Sequence, residues 1–105
     1  GYRNLVKQNF KNLMLTSPGE KIMDPLFGVG VKKYLFELRQ RGMESQLEGR
    51  IYSQTKKYLS YITIRQVSFG EQQNDNRLGV SVSYFINPLN INEFFNYSTN
   101  TQQSL

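Results

Sequence analysis

Between Leu59 and Tyr61 the hydrophobic spacing of this chain changes period, and that change constrains its fold more than any other feature. Upstream, apolar residues return every three to four positions, as one face of a helix requires; downstream they return at every second position, as one face of a strand requires. Val6, Phe10, Leu13 and Met14 share one stripe while Lys7 and Lys11 lie on another, which predicts a helix over 3–15. Thr16-Ser17-Pro18-Gly19 ends it, because a proline disfavours helical geometry in the residue before it and a glycine supplies positive φ. Asp24-Pro25 adds a second turn, and Leu26-Phe27-Gly28-Val29-Gly30 reads as a loop pressed onto the core, with Phe27 expected to be buried. Val31, Tyr34, Leu35 and Leu38 predict a short helix over 31–38 with Lys32 and Lys33 on its opposite face. Met43, Leu47, Ile51, Tyr58 and Leu59 predict a longer helix over 43–59. Glu44 and Glu48 near its start and Lys56 and Lys57 near its end complement the helix dipole, and Gly49 alone dissents.

Residues 61–69 are rich in β-branched and aromatic side chains and predict a strand. Leu78, Val80, Val82, Tyr84 and Ile86 alternate with Gly79, Ser81, Ser83, Phe85 and Asn87, which predicts a second strand with one apolar row. The polar stretch 70–76 between them suits an antiparallel hairpin. Asn87-Pro88 then closes the sheet signal, 91–97 offers a last apolar cluster around Phe94-Phe95, and 98–105 is a polar tail. The expected fold is therefore α+β: three N-terminal helices, a small antiparallel β-hairpin sheet, one domain over 1–97 and the tail.

Composition narrows the chemistry. A chain of 105 residues is one small domain that buries about two-thirds of its unfolded surface. With no cysteine and no histidine, disulfides, thiol nucleophiles and imidazole acid–base catalysis are excluded, and zinc sites lose their usual ligands. No run approaches the roughly 18 consecutive apolar residues of a membrane span, and the first residues are too polar for a signal peptide, so a soluble protein is expected. The net charge of +5 favours acidic partners without specifying a fold.

Few constellations suggest catalysis. Glu20 and Asp24 have the spacing to be imagined as a glycosidase acid pair, yet carboxylates in a turn-rich loop more commonly accept backbone N–H bonds. Gly28-Val29-Gly30-Val31-Lys32-Lys33 has neither a dinucleotide fingerprint nor a phosphate loop's Gly-Lys-Ser/Thr ending. Lys32, Lys33, Arg39, Arg41, Lys56 and Lys57 offer a basic patch for nucleic acid, but Phe10, Tyr34, Tyr58 and Tyr84 sit at core spacing rather than free for stacking. The strand carrying Leu78, Val80, Val82, Tyr84 and Ile86 belongs to a small sheet, so its edge is expected to expose unpaired backbone groups that invite a partner strand, unless the chain covers it. No catalytic residue, cofactor or metal is assigned.

The run Asn12-Leu13-Met14-Leu15-Thr16-Ser17-Pro18-Gly19-Glu20-Lys21-Ile22-Met23-Asp24-Pro25-Leu26-Phe27-Gly28, followed by Tyr34-Leu35-Phe36-Glu37, resembles the baseplate wedge family of contractile-tailed bacteriophages. Pro18, Gly19, Glu20, Asp24, Pro25, Phe27, Gly28, Leu35, Phe36 and Glu37 carry the resemblance, which is close over about a third of the chain and far more specific than a lone glycine motif. It implies a structural protein of the virion, bound to other wedge subunits and to the tail sheath protein, with the tail tube as a further candidate neighbour and no membrane or nucleic-acid partner. The implied work is to template the first sheath ring, with strand addition as one route. A basic nucleic-acid or general protein-interaction module is the alternative, and a carboxylate-based glycan hydrolase the third reading. The chain departs from the family where a Glu-Pro-Arg turn often joins the long helix to the first strand: Leu59, Ser60 and Tyr61 stand there. A more apolar contact through Leu59 and Tyr61 is expected in its place.

Overall fold

A computed structural model describes residues 1–35, 44–72 and 77–100. Helix α1 spans Tyr2–Leu15, a helical stretch at 31–35 is called α2, and α3 spans Glu44–Tyr58. Strands β1 (Ile62–Gln72), β2 (Arg77–Ile86) and β3 (Ile91–Asn100) form one antiparallel sheet in the order β1-β2-β3. The helices cover one face of the sheet, so the α+β class holds. Expected positions 36–38 of the middle helix and Met43 of the long one lie outside the described residues, as do 73–76 of the hairpin turn and 101–105 of the tail.

The stripe of α1 buries Val6, Phe10, Leu13 and Met14, as its spacing requires. Phe10 stacks on Tyr84 of β2, with ring centroids 4.1 Å apart, and meets Phe95 of β3 edge-on at 6.1 Å. Val29, Val31 and Leu35 join the same core from the loop and α2, and Leu47 and Ile51 join it from α3. From the sheet come Ile62, Val80, Val82, Tyr84, Ile86 and Phe95. Among the described residues no helix is long and apolar enough to cross a membrane.

The sheet corrects the sequence reading in two ways. The 91–97 cluster and the first residues of the supposed tail are a third strand, which runs to Asn100 and pairs along β2 from Ile86↔Ile91 to Arg77↔Asn100. Asn87-Pro88 therefore opens a hairpin turn instead of ending the sheet. Asn90, at φ 60, supplies the left-handed residue and donates its N–H to the Ile86 carbonyl at 2.8 Å. The alternation of β3 escapes a hydrophobicity reading because Glu93 occupies an inward position between Ile91 and Phe95. The second correction follows: the strand carrying Leu78, Val80, Val82, Tyr84 and Ile86 is central, with backbone partners on both sides. It has no free edge, and the inward Val80, Val82, Tyr84 and Ile86 are core side chains.

β1 is also longer than 61–69 and carries an irregularity between Ile64 and Gln66. An extra residue there shifts the inward phase, so Ile62 and Ile64 before it and Val67 and Phe69 after it all pack against the core.

Candidate interaction surface

The motif residues fold into a pinned loop between α1 and α2. Thr16 closes α1, its N–H reaching the Asn12 carbonyl at 3.0 Å and its hydroxyl the same oxygen at 2.7 Å. The Ser17 N–H donates to Glu20 Oε1 at 2.6 Å, the Gly19 N–H to the Pro25 carbonyl at 2.8 Å and the Phe27 N–H to the Asp24 carbonyl at 3.1 Å. Gly28 is at φ 115, and a Cβ there would stand 2.2 Å from the Thr16 carbonyl oxygen, so only glycine fits. Just beyond it the Val29 N–H donates to the Leu13 carbonyl at 2.9 Å, tying the loop back to α1.

Three residues one helical turn apart on α3 hold the other side. Arg50 donates through Nη2 to the Gly28 carbonyl and through Nε to the Val29 carbonyl at 3.4 Å. Gln54 accepts from the Gly28 N–H at 2.8 Å and donates to the Leu26 carbonyl at 3.1 Å. Tyr58 donates its hydroxyl to Asp24 Oδ1 at 3.0 Å and packs edge-on against Phe27 at 4.9 Å. Phe27 is half-buried, not buried as expected, because its ring lies between Tyr58 and the amino group of Lys21, 4.2 Å from its centroid. Glu20 and Asp24 thus serve loop bonds. Pro18, Gly19 and Pro25 are exposed, Leu35 is in the core, and Phe36 and Glu37 lie outside the described residues.

The α3–β1 turn assigns its three residues differently from the expectation. Leu59 is buried in the core and so offers little contact surface; Ser60 is exposed, Tyr61 is half-buried, and the Ile62 N–H donates to the Leu59 carbonyl at 2.9 Å. Lys32, Lys33, Lys56 and Lys57 are exposed, while Arg39 and Arg41 lie outside the described residues. Phe10 and Tyr84 are spent in the core and Tyr34 and Tyr58 are packed against it, which leaves none of the four as a stacking platform.

With β2 enclosed, the sheet's edges are β1 and β3. The Asn87 N–H donates to the Tyr61 carbonyl at 2.9 Å. Backbone groups alternate sides along a strand, so Ile86, Tyr84, Val82 and Val80 turn theirs toward β3. Their partners Ile91, Glu93, Phe95 and Tyr97 answer them. The N–H and C=O groups of Asn92, Phe94, Asn96 and Ser98 therefore point away from the sheet. Their side chains are exposed, carry no charge, and interrupt the edge with neither bulge nor proline. β1 is better guarded: its irregularity falls at Arg65, and its first outward amide, Ile62, is already bonded to Leu59. Beside β3 a groove of about 710 Å³ is lined by Leu5, Lys7, Gln8 and Lys11 of α1 and by Phe94 and Phe95.

Glu93 anchors α1 beside that edge, a role that hydrophobic periodicity cannot reveal. Its side chain is only 7% exposed, pairs with Arg3 Nε through Oε2, and lies 3.5 Å from Lys7 Nζ through Oε1. Burial pushes its carboxyl up, but the hydrogen bond and charge of Arg3, joined by Lys7, outweigh this and hold it below the usual carboxylate range. Burial, with the Glu93 charge behind it, pushes the neighbouring Tyr84 hydroxyl up to about 12. Among the described residues no group of three or more acidic side chains could hold a metal ion.

The family model described as "Baseplate wedge protein gp25" matches residues 1–89. No curated protein matches the sequence at a significant level. Among solved structures, a protein provisionally described as a tail lysozyme from Geobacter sulfurreducens is similar at a TM-score of 0.75 and 17% identity, over 95% of this chain and 91% of that one. A chain of the anti-feeding prophage baseplate is similar at a TM-score of 0.69 and 21% identity, over 79% of this chain and 67% of that one. At these identities the likeness is one of fold.

Proposed function

Because this chain belongs to the baseplate wedge protein gp25 family, we propose that it is a non-catalytic joint of a contractile-tail baseplate that templates the first sheath ring by accepting a strand on the outer edge of β3. The observation that carries this reading is the row of outward backbone groups at Asn92, Phe94, Asn96 and Ser98, beside a groove with apolar and basic walls. Main-chain bonding along such an edge gives affinity, and the alternate side chains of the incoming strand set its register. The proposed donor is a sheath subunit; other wedge subunits and the tail tube are the remaining neighbours in this reading. β2, which is central in the sheet, offers no edge for it.

The absence of catalysis in this proposal is supported by the engagement of Glu20 with the Ser17 amide and of Asp24 with the Tyr58 hydroxyl. The description of the Geobacter protein as a lysozyme is not carried over.

Asn96→Pro tests the proposal, since it removes one outward N–H while leaving every β2–β3 bond in place. The variant keeps its fold by circular dichroism, and sheath nucleation on reconstituted baseplates drops at least tenfold, whereas Asn96→Ala nucleates normally. A folded Asn96→Pro protein that nucleates sheath at the normal rate refutes strand addition on this edge.

A further inference from the structure

Helix α1 carries three cations, Arg3, Lys7 and Lys11, and no carboxylate. They stand four residues apart, so they form one stripe along the helix. That stripe runs beside β3: Arg3 pairs with Glu93, and Phe10, further along α1, meets Phe95, further along the strand. Glu93 keeps its negative charge and answers Arg3 and Lys7, which leaves one carboxylate against three cations. Lys11 is exposed and in no ion pair among the described residues. Lys7 lies 3.5 Å from Glu93 and, as an ammonium with three donors, has others to give. Both lysines line the groove of about 710 Å³ beside the outer edge of β3, and no described residue lining it is acidic.

Residues directly opposite one another in adjacent strands turn their side chains to the same face. Phe95 and Tyr97 of β3 both face the core beneath α1. In a strand added to β3, the residues opposite these two therefore stand over the groove, on the side that α1 covers. Such residues are two apart, about 6.8 Å along the strand, while Lys7 and Lys11 are one turn apart, about 6 Å along the helix. One row of side chains thus meets both cations. We propose that the strand accepted by β3 carries Asp or Glu at two positions two residues apart, and that their carboxylates pair with Lys7 and Lys11. This rests on the strand-addition reading and names the chemistry of its partner. An extended peptide fits better than a nucleic acid, because the edge presents C=O groups as well as N–H groups, and a phosphate backbone offers acceptors alone. A second copy of this chain does not fit, since no two of its Asp and Glu residues are two positions apart.

The test adds sheath subunit to baseplates that carry the full chain and treats the bound particle with a carbodiimide, which joins an amine to a carboxylate in contact with it. Lys7 and Lys11 become linked to two carboxylates two positions apart in one sheath segment. Lys11→Glu, at an exposed site, leaves the melting temperature unchanged. It lowers sheath nucleation at least about threefold at low salt, and the difference shrinks as salt rises. Lys11→Arg, which keeps the charge, nucleates as the parent protein does. Amide exchange at Asn92, Phe94, Asn96 and Ser98 separates this inference from the reading beneath it. If those amides are slow in the sheath-bound particle while Lys11→Glu nucleates normally, or while the links fall on carboxylates not two apart, the acidic strand is refuted and strand addition stands. If they stay fast with sheath bound, both fall. A single-stranded DNA oligonucleotide that protects the same amides in place of sheath, and no longer binds in Lys11→Glu, also overturns the proposal.

Discussion

Replacing Gln54 by alanine removes a side chain that both donates to and accepts from the motif loop. Its amide oxygen takes the buried Gly28 N–H and its nitrogen bonds the half-buried Leu26 carbonyl. Orphaning the Gly28 N–H costs the full penalty for a buried donor, about 1–3 kcal/mol. The Leu26 carbonyl lies beside an exposed residue and regains water, so its share is about 1 kcal/mol. Together the loss is about 2–4 kcal/mol, which for a domain of this size lowers the melting temperature by about 10–25 °C. Urea unfolding reads the free energy with an unchanged slope, and hydrogen exchange reads the Gly28 amide directly. Gln54→Glu sharpens the assignment: it keeps the acceptor for Gly28 but loses the donor to Leu26 and introduces a buried charge, so it is also destabilised while its Gly28 amide stays protected in the native state. A Gln54→Ala loss under about 1 kcal/mol, with the Gly28 amide exchanging as slowly as before, refutes the claim that α3 shapes the loop.

Gly28→Ala combines a strained positive φ with a Cβ 2.2 Å from the Thr16 carbonyl oxygen; it destabilises the fold by at least about 2 kcal/mol, measured by urea unfolding. Glu93→Gln costs about 1–3 kcal/mol at neutral pH, because it removes the charge that Arg3 and Lys7 face. The folded carboxyl is held below its usual 4.5, so its contribution is present above the unfolded value and is lost as pH falls through the folded one. Thermal melts from neutral pH into the acid range therefore show a shallower pH dependence in Glu93→Gln than in the parent protein.

What the sequence discloses and conceals follows from the kind of force each residue answers to. The α1 stripe and the β2 alternation were legible because burial of apolar side chains imposes a period, and Val6, Phe10, Leu13, Met14, Val80, Val82, Tyr84 and Ile86 obey it. β3 was hidden because Glu93 sits where an apolar residue belongs, made tolerable by cations ninety and eighty-six positions upstream. The spacing 62, 64, 67, 69 in β1 did carry the signature of an inserted residue, and a phase test along the strand could have found the irregularity. Arg50, Gln54 and Tyr58 share a helical stripe at intervals of four, but they bond mostly backbone groups, which have no side-chain signature. The resemblance located the loop, and only the fold shows which bonds tie it to α1 and α3. Recognising a third strand makes β3, not β2, an outer strand of the sheet among the described residues, and the proposed strand addition moves there with its backbone chemistry unchanged.

Amide hydrogen exchange along β3, with and without sheath subunit added to the baseplate-bound chain, tests strand addition most directly. The account predicts slow exchange at Ile91, Glu93, Phe95 and Tyr97 in both states, and exchange at Asn92, Phe94, Asn96 and Ser98 that is fast alone and slow once sheath is bound. Equally fast exchange at those four amides in the sheath-bound particle contradicts it.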